Sequence, residues 1–242
     1  MTGKPHYKAA IFDMDGTILD TSEDLTSAIN YAMGFFGHRS DFVREDGCLF
    51  FGSGAHTAVQ RALALEAGMD RAQILKIGSE TNAILPGIEE SEVQRILQVY
   101  QPYYKAHNAI RTRPYPGIPA LLTRLREAGV HTAVVSNKPD NSVVQLAADY
   151  FDKGFELAIG ETEGIARKPA PDMNFLILHK LGIDVRDAVY IGDTEIDVAT
   201  ARNTGMDCIM VEWGFRPRSQ IEALGAKVFV SSAEEIYPLV VG

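Results

Sequence analysis

The chain has 242 residues, enough for one large domain or two smaller ones around a sizeable core. Hydrophobic residues make up 46% and charged residues 23%, and the formal charge is −9, a field that repels phosphate backbones and disfavours nucleic acid as a partner. No apolar run approaches the roughly eighteen residues of a membrane span, the polar start leads into an apolar run too short for a signal peptide, and Cys48 and Cys208 form no framework or metal pattern, so a reduced, cytoplasmic protein is expected.

In chain order, residues 8–12 (KAAIF) read as a first buried strand. From residue 20 to about 111 the character is helical, with amphipathic stretches at 25–36, 55–67 and 90–105 and no strand of comparable quality. Arg113-Pro114-Tyr115-Pro116-Gly117 is a punctuated stretch that suits a hinge. After it, strands at 130–135, 188–191 and 208–211, with weaker ones at 155–159 and 228–230, alternate with helical stretches at 119–128, 141–150, 172–181 and 195–204. This alternation predicts an α/β chain: a parallel-sheet core, discontinuous over 1–19 and 112–242, with helices on both faces and an all-helical domain inserted over 20–111. In such sheets the site lies at the carboxyl ends of the strands.

Four polar constellations stand out, three of them where that rule points. Asp13-Met14-Asp15-Gly16-Thr17 follows the first strand; Asp-x-Asp-Gly-Thr is expected by chance in roughly 0.3% of chains this long. A calcium loop does not fit it, because Gly16 stands fourth with the first Asp counted as one, where an EF-hand needs glycine sixth. Gly192-Asp193-Thr194-Glu195-Ile196-Asp197 ends the strand AVYI, Ser136-Asn137-Lys138 ends HTAVV, and Arg167-Lys168-Pro169-Ala170-Pro171-Asp172 precedes a helix. Any one is an ordinary solvated turn; together they describe a site.

These residues resemble the four motifs of the haloacid dehalogenase-superfamily phosphatases that carry a helical cap: DMDGT the first, Ser136 the second, Lys168 the third and GDTEID the fourth. The strings FGSGAHTAVQRAL, RPYPGI, VVSNKPD, ARKPAPD and VEWGF are similar to those of the phosphoglycolate phosphatases within that superfamily. The resemblance implies a Rossmann-like core with an inserted cap domain and a Mg²⁺-dependent phosphatase acting on a small phosphorylated metabolite. It makes Asp13 the nucleophile and Asp15 the general acid and base. Ser136, the Asn137 backbone amide and Lys168 would bind the phosphoryl group. The metal would sit on the Asp13 and Asp193 side chains and the Asp15 carbonyl, with Asp197 behind as an orienting group. Gly52, Ser53 and Gly54, at the start of a cap helix, match the substrate loop, where free amides can bind a small carboxylate. Arg61, further along that helix, reads as a surface or ion-paired arginine, and Trp213 as a pocket-lining or packing residue.

Absences narrow the choice. No lysine occurs from residue 9 through 75, where phosphonoacetaldehyde hydrolases of the superfamily place a Schiff-base lysine. Thr17 and Leu25 stand where β-phosphoglucomutases typically carry Val and His. Pyrophosphatase and sugar-phosphate phosphatase activities share the core motifs and stay open. A non-catalytic phospho-acceptor is the alternative of another class; it needs neither Asp15 nor a cap.

Overall fold

A computed structural model of the chain describes residues 7–78 and 87–242; residues 1–6, part of the polar start weighed above as a leader, lie outside them. Its elements are β1 (Ala9–Phe12), β2 (Leu19–Asp20), α1 (Ser22–Phe35), α2 (Arg44–Phe50), α3 (Ala55–Glu66), α4 (Arg71–Ile74), α5 (Glu90–His107), β3 (Arg113–Pro114), α6 (Ile118–Glu127), β4 (His131–Pro139), α7 (Asp140–Phe151), β5 (Leu157–Glu161), α8 (Asp172–Leu181), β6 (Ala188–Gly192), α9 (Glu195–Thr204), β7 (Asp207–Val211), α10 (Arg218–Glu222), β8 (Val228–Val230) and α11 (Ile236–Val241). The chain divides into two compact units, Met1–Asp20 with Arg113–Gly242, and Thr21–Thr112.

The first unit holds a six-stranded, all-parallel sheet in the order β5-β4-β1-β6-β7-β8. Strand residues alternate between its faces, as a period of two requires. Ala10, Phe12, Val134, Val189 and Ile191 pack with Leu121, Leu122 and Leu125 of α6, Val143 and Leu146 of α7 and Ile236 and Val240 of α11. Ala9, Ile11, Ala133, Val135, Ala188 and Tyr190 pack on the other side with Met173 and Ile177 of α8 and Ala201 of α9. Both faces are covered, which explains why these strands read as continuous apolar runs. β1 lies at the centre, with β4 on one side and β6 on the other, so the strand order reverses there, the position at which open α/β sheets place their binding site.

Two features go beyond the sequence reading. β4 continues to Pro139 through an irregular register with β5 between Val135 and Pro139, and that irregular stretch holds Ser136, Asn137 and Lys138. A two-residue antiparallel pair, Leu19–Asp20 with Arg113–Pro114, joins the outgoing and returning chain.

The second unit is helical. α1 packs on α5 and α2, and α3 on α5 and α2, burying Ile29, Met33, Phe50, Val59, Ile96 and Tyr100. Its two chain ends are tied together by Asp24, whose carboxylate accepts the amides of Arg111 and Thr112 and the Thr112 hydroxyl at 2.9–3.1 Å. Among the described residues no helix is long and apolar enough to cross a membrane.

Candidate active site

Asp13 is the first residue past β1, and its amide donates to Ile191 O of β6 at 2.8 Å. The chain then closes a tight turn in which Ile18 N and Leu19 N both reach Met14 O at 3.0 Å. Gly16 turns there with φ +88°, and a Cβ on it would stand 2.3 Å from Asp193 Oδ2. The turn therefore needs glycine twice, for its backbone angle and for the carboxylate it lies against.

Asp13, Asp193 and Asp197 are buried, and one carboxylate oxygen from each lies within 4.8 Å of the others. Lys168, 4% exposed, extends into this cluster. Its Nζ is 2.5 Å from Asp13 Oδ1, 2.9 Å from Asp197 Oδ1 and 3.0 Å from the Tyr190 hydroxyl, one acceptor for each of the three protons of an ammonium. The Tyr190 hydroxyl donates in turn to Asp197 Oδ1 at 3.0 Å. Asp197 Oδ2 accepts the amides of Asp193 and Thr194 and the Thr194 hydroxyl, a capping box that starts α9. Asp193 is held at both oxygens: the Thr17 hydroxyl donates to Oδ1 at 2.8 Å and Phe215 N to Oδ2 at 2.6 Å.

Burial dominates the electrostatics. It pushes the Asp13 carboxyl up to about 7 in spite of the Lys168 ammonium beside it, with the charges of Asp197 and Asp15 adding to the rise. Burial also raises Asp193 well above the carboxylate range, helped by the charges of Asp197 and Asp13. For Lys168 burial works against the charge, but Asp13 and Asp197 outweigh it and keep the ammonium protonated well above the usual lysine range. Asp197 is lowered: burial opposes ionisation, and the charge and hydrogen bond of Lys168 together with the Thr194 donors overcome it. Three carboxyl groups share one ammonium in a dry site, and ionising all of them there calls for further positive charge. Such an all-oxygen donor set fits a hard divalent cation.

Ser136 and Asn137 are buried at the irregular end of β4. Ser136 Oγ accepts Lys138 N at 3.2 Å, and Asn137 Nδ2 donates to the Lys168 carbonyl at 3.0 Å. Asn203 Nδ2 holds the next carbonyl, that of Pro169, at 2.8 Å. The Asp15 side chain pairs with Lys138, its Oδ2 3.0 Å from Lys138 Nζ. Asp13, Lys168, Asp193 and Asp197 thus meet directly, while Asn137 joins them through the Lys168 backbone. Tyr190, Thr17, the Phe215 amide and Lys138 had no assigned role in the sequence reading. The one legible signal was a phenol in a strand of otherwise aliphatic residues.

Gly52, Ser53 and Gly54 belong to the helical unit, in the turn that enters α3. Gly54 is the N-cap of that helix and Ser53 is buried. Arg61 corrects its sequence reading: far from the surface, it is fully buried. Its guanidinium donates to Leu49 O, Phe50 O, Leu75 O, Ile77 O and Ser53 Oγ at 2.9–3.3 Å. His56 pairs with Glu90 at 2.8 Å. In the first unit Trp213, half-buried, packs by donating from Nε1 to Thr17 O at 3.1 Å.

Residues 10–211 match the haloacid dehalogenase-like hydrolase family. A phosphoglycolate phosphatase of Agrobacterium fabrum is 30% identical over 92% of this chain and 88% of its own. An N-acetylmuramic acid 6-phosphate phosphatase of Pseudomonas aeruginosa is 29% identical over 95% of this chain and 92% of its own. A crystal structure from Lactobacillus delbrueckii subsp. bulgaricus, provisionally assigned as a phosphoglycolate phosphatase, superposes with a TM-score of 0.96 at 51% identity, covering 98% of this chain and 99% of that one.

Proposed function

The chain belongs to the haloacid dehalogenase-like hydrolases, and on that premise we propose that it is a phosphatase that hydrolyses 2-phosphoglycolate through a phosphoryl group carried on Asp13. The observation that carries this reading is the buried Asp13 carboxylate at the strand-order reversal, 2.5 Å from Lys168 and grouped with Asp193. Phosphate monoesters resist hydrolysis, and a carboxylate nucleophile divides the task into two displacements. Asp13 attacks phosphorus while Asp15 protonates the departing oxygen. Asp15 then takes a proton from the water that releases phosphate from Asp13. Ser136 Oγ and the Asn137 amide hold phosphoryl oxygens, and Lys168 adds positive charge where negative charge develops. Asp197 and Tyr190 fix the Lys168 ammonium in place. The Asp13 and Asp193 side chains and the Asp15 carbonyl would hold Mg²⁺, which supplies the charge that lets an anionic nucleophile approach an anionic substrate.

Substrate choice is assigned to the Gly52–Ser53–Gly54 turn, whose amides at the start of a twelve-residue helix suit a small carboxylate. The muramic acid phosphate phosphatase, as similar over as much of the chain, favours a sugar phosphate as the second reading. Phosphate release from 2-phosphoglycolate, several sugar phosphates, nucleotides and pyrophosphate tests both. A kcat/KM for 2-phosphoglycolate higher than the rest by orders of magnitude supports the first. A sugar phosphate in that place supports the second, and a flat panel removes both substrate names. EDTA should abolish the activity and Mg²⁺ restore it.

A further inference from the structure

Lys138 stands two residues beyond Ser136, on the irregular end of β4, and the reaction as described gives it no part. Its side chain is 4% exposed, and Nζ lies 3.0 Å from Asp15 Oδ2. An ammonium buried this far is strongly disfavoured without an opposite charge beside it. The segment that carries it is fixed at its backbone, since Lys138 N donates to Ser136 Oγ and the Asn137 side chain ties the same turn to the Lys168 carbonyl. The two carboxylates of the first loop therefore each face an ammonium of their own: Asp13 faces Lys168 and Asp15 faces Lys138.

The chemistry of that second pair is directional. A lysine ammonium only donates hydrogen bonds, so on a protonated carboxyl group it favours the carbonyl oxygen, the stronger acceptor of the two. We propose that Lys138 is a positioning residue for Asp15: by holding Oδ2 it confines the transferable proton to Oδ1 and fixes the carboxyl plane that presents it. The inference rests on the acid and base role given to Asp15 above. In the first displacement an Asp13 oxygen bonds to phosphorus and the bond from phosphorus to the leaving oxygen breaks. The electron pair goes to that oxygen, and the proton on Asp15 Oδ1 moves to it. In the second, water oxygen bonds to phosphorus, its proton returns to Asp15 Oδ1, and the phosphorus bond to Asp13 breaks with its electron pair going back to the carboxylate.

The test compares Lys138→Met, Lys138→Gln, Lys138→Arg, Asp15→Asn and the Asp15→Asn/Lys138→Met double variant on two substrates. One is the best alkyl phosphate of the panel. The other is p-nitrophenyl phosphate, whose phenolate leaves without a proton and is read as a first-turnover burst. Lys138→Met and Lys138→Gln should lower kcat on the alkyl phosphate about 10-fold or more with little change in KM, and lower the burst rate several-fold less. Lys138→Arg should recover most of the rate, and the double variant should be no slower than Asp15→Asn alone. Equal losses on both substrates, a loss confined to KM, or a double variant slower than Asp15→Asn by the full single-variant factor would overturn the proposal. If Lys138→Met does not fold by circular dichroism, the Gln and Arg variants carry the same comparison. Full activity of Asp15→Asn, or no phosphate release by the wild type, overturns the reading of Asp15 and this inference with it. A slow Asp15→Asn beside unimpaired Lys138 variants overturns this inference alone.

Discussion

Each of the two units buries a cation, and they use it differently. In the sheet unit Lys168 gives its hydrogen bonds to two carboxylates and a phenol. In the helical unit Arg61 spreads its fork over the carbonyls of residues 49, 50, 75 and 77 and the Ser53 hydroxyl. Lys168 sets the charge of a cluster of acids. Arg61 sets the path of the backbone, holding the turn before α3 against the segment that follows α4. A point charge suits the first task and a planar, five-proton donor the second.

Substitutions that separate charge from shape sharpen this contrast. Asp13→Asn should have the largest effect, lowering turnover by at least about 10³-fold while circular dichroism stays native. Turnover near the wild-type rate would remove Asp13 as nucleophile. Lys168→Met should lower kcat about 10²-fold or more and also destabilise the sheet unit by about 3–5 kcal/mol in urea titrations, because the buried Asp197 loses the charge and hydrogen bond that offset its desolvation. Arg61→Lys keeps the charge and loses the fork. It should cost about 2–3 kcal/mol in the same assay and raise KM more than it lowers kcat, and an unchanged stability would show that charge alone suffices there.

The smallest effect is a pH dependence of the helical unit. His38 has Nδ1 2.9 Å from Glu66 and Nε2 2.9 Å from Glu92. Partial burial opposes its charge, but the hydrogen bond to Glu92 and the charge and hydrogen bond of Glu66 overcome it and raise its pKa. The stabilisation is fully present below the unfolded histidine value of about 6.5, and it is lost as pH rises through the higher native value. His38→Gln should remove that decline, worth at most about 1 kcal/mol, from thermal midpoints measured between pH 6 and 9.

Legibility followed the physics of each element. The strands of the sheet were readable because both faces are covered and their residues are apolar throughout. The weak 228–230 run is β8 with the same bounds. The pair β2–β3 was not, since two residues carry no periodicity. The acidic and lysine motifs were readable because their spacing is fixed by strand ends and helix starts. Their supports were not: the Phe215 amide is a backbone donor that any residue has, and Thr17 and Tyr190 act through side chains brought near by topology. Arg61 was misread because a lone arginine on a helix is exposed in most proteins; only the carbonyls of distant residues reveal why this one is inside.

The two ties on Asp193 bear on which ion the proposed metal site would accept. With Thr17 on one oxygen and the Phe215 amide on the other, each oxygen already accepts one hydrogen bond that fixes the carboxylate's orientation, and turning both toward one ion would compete with those donors. Calcium, which takes six to eight oxygens and often grips a carboxylate by both, is poorly served by such a group. Magnesium, which asks for single oxygens in a fixed arrangement and keeps several waters, is served well. At the proposed metal site the loop that carries Phe215 would thereby favour the smaller ion, and Gly214 is what lets it lie there: a Cβ at that position would stand 2.2 Å from that of Asp193.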